Sequence, residues 1–286
     1  MAERDANQGD AGTAAAAKGF SLISDEKLLD IYGSMVKSRM LAKRVCTMAP
    51  ESEEARRTKA AIGREASIVG VTIDLGSEDT IVHSYGALVV DFIKGPPLNT
   101  ISGESRNGAK ELSIEARLGS ATEAARANKE RKNGKVAVIF LGDEAVPAEL
   151  LWETLRVAGD QMLPVLFVCQ NGLQGVIGKG AGEVGTLEGS PDTRLCGVPR
   201  IPVDGSDAVA VYRVGTESIA LARKGMGPTL IECLNHPKLS PTNSEREMVD
   251  GPILQMEGYL KRKGLLEERW KQRLMADFST EIERII

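Results

Sequence analysis

Residues 135–175 read "KVAVIFLGDEAVPAELLWETLRVAGDQMLPVLFVCQNGLQG". Val136 to Leu141 is a short, unbroken apolar run, the pattern of a strand buried on both faces. An acidic turn, Asp143-Glu144, follows it. Pro147 suits the first turn of a helix, in which Leu151, Leu155 and Ala158 make one apolar stripe. Pro164 to Cys169 is a second buried strand, closed by Asn171-Gly172. A strand, a helix and a strand in this order imply a right-handed crossover and a parallel sheet covered by helices. In such sheets ligands gather at the carboxyl ends of the strands, where Asp143 and Asn171 fall.

The same alternation continues outward. "PRIPVDGSD" (199–207) holds a third short strand, Ser206 opens a helix closed by the stretch Gly225 to Pro228, and Thr229 to Leu234 is a further strand. Upstream, "GSATEAARANK" (119–129) is an Ala-rich helix. The fold class is therefore α/β, a doubly wound parallel sheet over residues 119–235. Ser24 is an N-cap for a helix with Asp25 and Glu26 in its first turn and Leu28, Ile31 and Met35 at helical spacing. The charged residues 50–59 link it, as a solvated stretch, to "GREASIVGVTIDL" (63–75), an apolar small-residue helix. After Pro252 come an amphipathic helix (Ile253, Met256, Tyr259, Leu260) and a charged final helix. Residues 1–20 are small, polar and aperiodic and read as a disordered tail. Residues 21–286 read as one domain with helical extensions at both ends.

Composition narrows the function classes. A net charge of −4 supplies no electrostatic reason to bind nucleic acid or an anionic membrane. No apolar run is long enough to span a bilayer, and the N-terminus lacks a signal-peptide core. Cys46, Cys169, Cys196 and Cys233 are scattered, which fits reduced thiols in a cytoplasmic protein rather than a disulfide framework or zinc site. His83 and His236 are the only histidines, so a mechanism needing several imidazoles from this chain is excluded.

Asp143 has two readings, a metal ligand or a cap on the helix that follows. Asn171-Gly172 is either a ligand position or a tight turn. His83, just before Tyr85, reads as a hydrogen-bonded structural histidine. "GKGAGEVG" (178–185) contains G-x-G-x-x-G but does not join a strand directly to a helix, so it reads as a loop, in which Lys179 is a candidate anion holder.

Taken in order, "LLDIYGSMVKSRMLAKRV", "GREASIVGV", "EDTIVHSYGALVVDFIKG", "GSATEAARANK", "KVAVIFLGDEA", "LPVLFVCQN", "VDGSDAVAVY", "ARKGMGPTLIE" and "DGPILQMEGYLKRKGLL" resemble a known family almost end to end. It is the α subunit of the thiamine-diphosphate-dependent first component of 2-oxo-acid dehydrogenase complexes, of pyruvate, branched-chain and acetoin type. The resemblance implies the thiamine-diphosphate-binding fold and pairing with a β subunit as a two-plus-two heterotetramer. The cofactor would lie at the α/β interface, and helix 62–75 would bury itself against another subunit. It also implies a site: Asp143, Glu144, Asn171 and Tyr85 against thiamine diphosphate, with Asp143 and Asn171 as ligands of Mg²⁺. No catalytic residue carries over.

The chain departs from the family pattern at that site. Where the family has Gly-Asp-Gly, this chain has Gly142-Asp143-Glu144; where it has Asn-Asn, this chain has Asn171-Gly172. Ungapped counting places the family's side-chain metal ligand on Gly172, although a small shift in spacing would let Asn171 serve. A carboxylate about 5 Å from a phosphate charge costs on the order of 3 kcal/mol at an effective dielectric of about 20. Turned onto Mg²⁺, Glu144 would instead be attractive. The family's Tyr-Arg, whose Arg grips the diphosphate, is Tyr85-Gly86. The segments 96–117 and 235–250 are shorter than their family equivalents, and the neighbours of His236 do not match the family's histidine loop. Two readings follow. In the first, this is a non-catalytic or regulatory α-like subunit, acting with a β-like chain or as a homo-oligomer, whose binding of thiamine diphosphate and Mg²⁺ is weak or lost. In the second, it is a working subunit with an altered metal shell, whose β subunit supplies the Glu that activates the cofactor.

Overall fold

The computed structural model of the chain describes residues 23–83, 87–95, 112–142, 146–170, 194–234 and 245–285. Its centre is a six-stranded sheet. The strands are β1 (Thr80–His83), β2 (Ala137–Leu141), β3 (Val165–Gln170), β4 (Arg194–Leu195), β5 (Val198–Asp204) and β6 (Thr229–Leu234). They lie in the order β1-β2-β3-β6-β5-β4, so chain order ascends through β3 and then reverses. Every pairing is parallel except the short β4–β5 ladder at one edge.

The expected α/β class is what the chain adopts, for the reason its apolar runs imply. Side chains alternate across a strand, and a strand buried on both faces must be apolar at every position. Ala137, Ile139 and Leu141 face helices α5 (Ile114–Arg131) and α6 (Ala148–Asp160), together with Val165, Phe167 and Cys169. Val138, Phe140, Leu166 and Val168 face the other way, towards α3 (Glu65–Thr72), α4 (Ala87–Ile93) and α7 (Ala208–Arg223). Helices thus cover both faces of the sheet.

Four local expectations change. The sheet extends beyond residues 119–235, because β1 adds a parallel edge strand upstream of them. β1 has only four residues, all half-buried, so it carries no apolar run to announce it. The helix after β5 is capped by Asp207, whose carboxylate accepts from the backbone N–H groups of Val209 and Ala210 at 2.9 and 3.0 Å, rather than by Ser206. Residues 50–59 are not a plain link. Ser52 caps a short helix, α2 (Glu53–Lys59), that buries Ala55 and Thr58. Finally, Pro252 does not open its helix but lies inside α8 (Glu245–Arg262), where it removes one backbone donor.

The largest correction concerns the helix expected to bury itself against another subunit. All eight residues of α3 are buried within this chain. A helix that is apolar all round belongs inside a protein, and here α7 lies directly on it. A Cβ at Gly70 would sit 2.9 Å from Val211 Cγ1 and 3.1 Å from the Tyr212 backbone nitrogen. Gly215 answers from α7, with the Gly70 carbonyl oxygen and Val71 Cα each 3.4 Å from where its Cβ would be. Two missing side chains let the backbones approach and supply the partner surface from within the chain.

An outer helical layer completes this side. In α1 (Asp25–Met48), Ser24 caps the first turn by accepting from Lys27 N–H at 3.2 Å. Leu28, Ile31, Tyr32 and Met35 then pack against Met256 and Leu260 of α8 and against Trp270 and Leu274 of the final helix α9 (Glu268–Ile285). Among the described residues, no helix is long and apolar enough to cross a membrane.

Candidate functional site

The carboxyl ends of the central strands finish level with one another. His83, the last residue of β1, is in register with Phe140 of β2; Leu141, the last of β2, with Cys169 of β3; and Gln170, the last of β3, with Cys233 of β6. Three consecutive, parallel neighbours therefore release their chains at one edge. The segment 84–86 follows β1, 143–145 follows Gly142, and 171–193 follows Gln170. Asp143, Glu144, Asn171 and Tyr85, with Gly86, Gly172, Lys179 and His236, lie outside the described residues. What the structure supplies is the convergence of the strands that lead to them.

Behind this edge stands a layer of buried polar pairs that sequence reading missed. Gln170 and Ser67 of α3 are both fully buried. The serine hydroxyl accepts from Gln170 Nε2 at 2.8 Å. Its single proton is shared between Gln170 Oε1 at 3.0 Å and the Arg64 carbonyl at 2.9 Å. Two residues earlier, Glu65 takes a bidentate grip from Arg39 of α1, Nε to Oε1 at 2.5 Å and Nη2 to Oε2 at 2.7 Å. The Gly63 N–H donates to both carboxylate oxygens at 3.1 Å. Fork-to-fork geometry of this kind neutralises a buried charge and fixes orientation at once.

Further along the sheet, Arg200 of β5 and Glu232 of β6 form another sheltered ion pair, with both Nε and Nη2 at 2.7 Å from Oε2. Glu232 is in register with Cys169. Burial pushes the Cys169 thiol well up; Glu232 and Cys233 add to this, and Arg200 opposes it. The Cys233 thiol is pushed up to about 12 by burial, then by Glu232 and Asp204. Neither is a thiolate nucleophile near neutral pH. His83 is half-buried at the end of β1. Among the described residues no three His, Cys, Asp or Glu side chains gather as a metal site.

The signal for these pairs was present as polar letters in apolar surroundings: Glu65 and Ser67 at the start of an apolar helix, Gln170 and Glu232 in apolar strands. Such residues are seldom buried without a partner, but sequence does not reveal which partner.

The sequence model of the dehydrogenase E1 component matches residues 32–237. The chain is 26% identical to the pyruvate dehydrogenase E1 component subunit alpha of Staphylococcus epidermidis, over 92% of this chain and 78% of that one. It is 27% identical to the subunit of the same name from Staphylococcus aureus, over 86% and 73%. It is 28% identical to the 3-methyl-2-oxobutanoate dehydrogenase subunit alpha of Mycobacterium tuberculosis, over 89% and 76%.

Proposed function

This chain belongs to the dehydrogenase E1 component family, and on that premise we propose that it is a non-catalytic or regulatory α-like subunit whose cofactor edge has been eroded. The family generally binds thiamine diphosphate with a divalent metal, and its α subunits pair with β subunits. One observation carries the proposal. Three of the departures from the family pattern, Gly86, Glu144 and Gly172, each lie in sequence within three residues of the end of a described stretch of β1, β2 or β3. Those strands are adjacent, parallel and level at their carboxyl ends.

The donor set does not fit the group. Mg²⁺ holding a diphosphate wants oxygen ligands from the protein, and Gly172 has none in its side chain. The phosphate wants a cation such as a bidentate Arg, and Gly86 offers none. Glu144 adds a negative charge beside Asp143. The core meanwhile remains intact on both faces, which is what a subunit retained for assembly needs. A second reading rests on the survival of Asp143 and Asn171, one after each of two neighbouring strands. With Glu144 turned onto the metal, the chain would serve an active oxidoreductase acting on a 2-oxo acid together with its β subunit.

Calorimetric titration with Mg²⁺ and thiamine diphosphate separates the readings. We expect no saturable heat, or binding weaker than micromolar, from the chain alone and with any co-encoded β-like partner. Micromolar or tighter binding in either sample overturns the proposal. Glu144→Gly with Gly172→Asn, and then with Gly86→Arg added, should restore measurable affinity in steps. Each lost charged hydrogen-bond partner is worth about 1.5–3 kcal/mol, roughly one to two powers of ten.

A further inference from the structure

We propose that Ser67 and Gln170 are the positioning residues of this edge, fixing through a buried hydroxyl–amide tie the direction in which the chain leaves β3. The proposal rests on the reading of this edge as the one that held the cofactor. It goes beyond that reading by assigning a role to two residues that would not themselves touch a ligand.

Gln170 is the last residue of β3, and its side chain is fully buried. An apolar residue there would satisfy the core as well as its neighbours Val168 and Cys169 do. A primary amide in the same place must find partners or carry a desolvation penalty. It finds them on a single atom, Ser67 Oγ, at 2.8 and 3.0 Å and 103 residues away in sequence. A hydrophobic contact holds a strand end down without directional preference; a hydrogen bond to a fixed hydroxyl adds a preferred direction.

The anchor is itself immobilised. Ser67 also bonds the Arg64 carbonyl. Two residues before it, Glu65 is held by the Arg39 fork and the Gly63 N–H. On the next turn, Gly70 lies against Val211 with no room for a Cβ. α3 is thus fixed at its first turn by charge and in its middle by close packing, and it passes that rigidity to the end of β3. The next residue in the chain is Asn171. The edge can thus lose ligand groups and still keep the geometry on which they were mounted.

Ser67→Ala alone leaves the Gln170 amide buried without this partner and lowers stability for a purely structural reason, whereas Gln170→Leu leaves Ser67 its bond to the Arg64 carbonyl. The double variant leaves no orphan, and replacing both partners of a hydrogen bond is close to neutral. It therefore isolates positioning from stability. Hydrogen exchange on the full-length chain should show the amides at the end of β3 exchanging at least tenfold faster in the double variant. The amides of β2 and the first half of β3 should keep their rates, and Tm should move little. Unchanged exchange at the end of β3, or equal acceleration of all strands, overturns the proposal.

A second arm uses the Glu144→Gly/Gly172→Asn/Gly86→Arg background titrated with Mg²⁺ and thiamine diphosphate. Adding Ser67→Ala/Gln170→Leu should weaken binding about tenfold, and unchanged affinity counts against the tie. If that background binds nothing, the account of the lost ligands is wrong, and the exchange arm still decides the role of Ser67 and Gln170.

Discussion

At the amino end of the sheet, Asp79 accepts from Gly76 N–H at 2.8 Å, from Val136 N–H at 3.0 Å and from Arg223 at 2.5 Å. At the carboxyl end, Gln170 meets Ser67, and Glu65 beside it meets Arg39. Both ends bury polar groups, but they use them differently. Asp79 ties together the turn before β1, the residue that leads into β2 and the last turn of α7, using a guanidinium that is 38% exposed. It closes the fold where nothing else needs to happen. At the carboxyl end, Ser67 and Gln170 join a helix to the end of a strand and Arg39 and Glu65 join two helices behind it, nearly out of solvent, with Arg39 and Glu65 side chains 6% and 2% exposed. The difference teaches that the carboxyl edge, from which the chain runs on to the residues that depart from the family pattern, is braced by pairs more fully enclosed than that of Asp79 and Arg223.

The hardest blow to that contrast should be Glu65→Ala. It removes the carboxylate gripped by the buried Arg39 guanidinium, and removing one partner of a buried pair costs about 3–5 kcal/mol. Urea unfolding of the variant should lose a large part of the total stability, or the chain should fail to accumulate folded. A loss below about 1 kcal/mol would mean that water reaches the pair and that the carboxyl end is no more deeply buried than the amino end.

Asp79→Ala should cost less, about 2–3 kcal/mol, because charge-assisted bonds are lost but Arg223 can turn to solvent. Its exchange signature should also differ, with faster amides at the starts of β1 and β2 and unchanged amides at the end of β3. If the end of β3 responds as strongly, the two ends are one cooperative unit and the contrast fails.

The smallest effect is a pH dependence remote from both ends. In the outer layer Glu257 accepts from Tyr32 Oη and Lys271 Nζ, each at 2.7 Å. Burial pushes its carboxyl up, but Lys271 and Tyr32 outweigh this and hold it below the usual Glu value. A carboxyl depressed on folding stabilises fully above its unfolded pKa of about 4.3, and that contribution fades as pH falls through the lower folded value. Lys271→Met should flatten the acid limb of a Tm-versus-pH curve and leave the neutral plateau little changed. An unaltered acid limb would place the acid-sensitive carboxylates elsewhere.

Which parts of this molecule are legible in its sequence follows the range of the forces involved. The apolar runs at 136–141, 164–169 and 229–234 announced the parallel sheet, and Ser24, Leu28, Ile31 and Met35 announced α1, because period and capping act between neighbours a few residues apart. The strand ends, and hence the edge where a ligand site would lie, were legible for the same reason. β1 was not, since four half-buried residues become a strand only when β2 offers its free side.

Nor was the fate of α3 legible. Its apolar letters said that it must be covered, and only the meeting of Gly70 with Gly215 decided that the cover would come from α7 and not from a second subunit. Arg39 with Glu65 and Ser67 with Gln170 belong to the same class. Each residue declares a polar group that burial obliges to find a partner, but the partner is 26 or 103 residues away. Sequence thus determined the layers and the edge. Tertiary structure alone chose the partners, because burial is a local demand of composition whereas satisfying it depends on which distant backbone arrives within hydrogen-bonding reach.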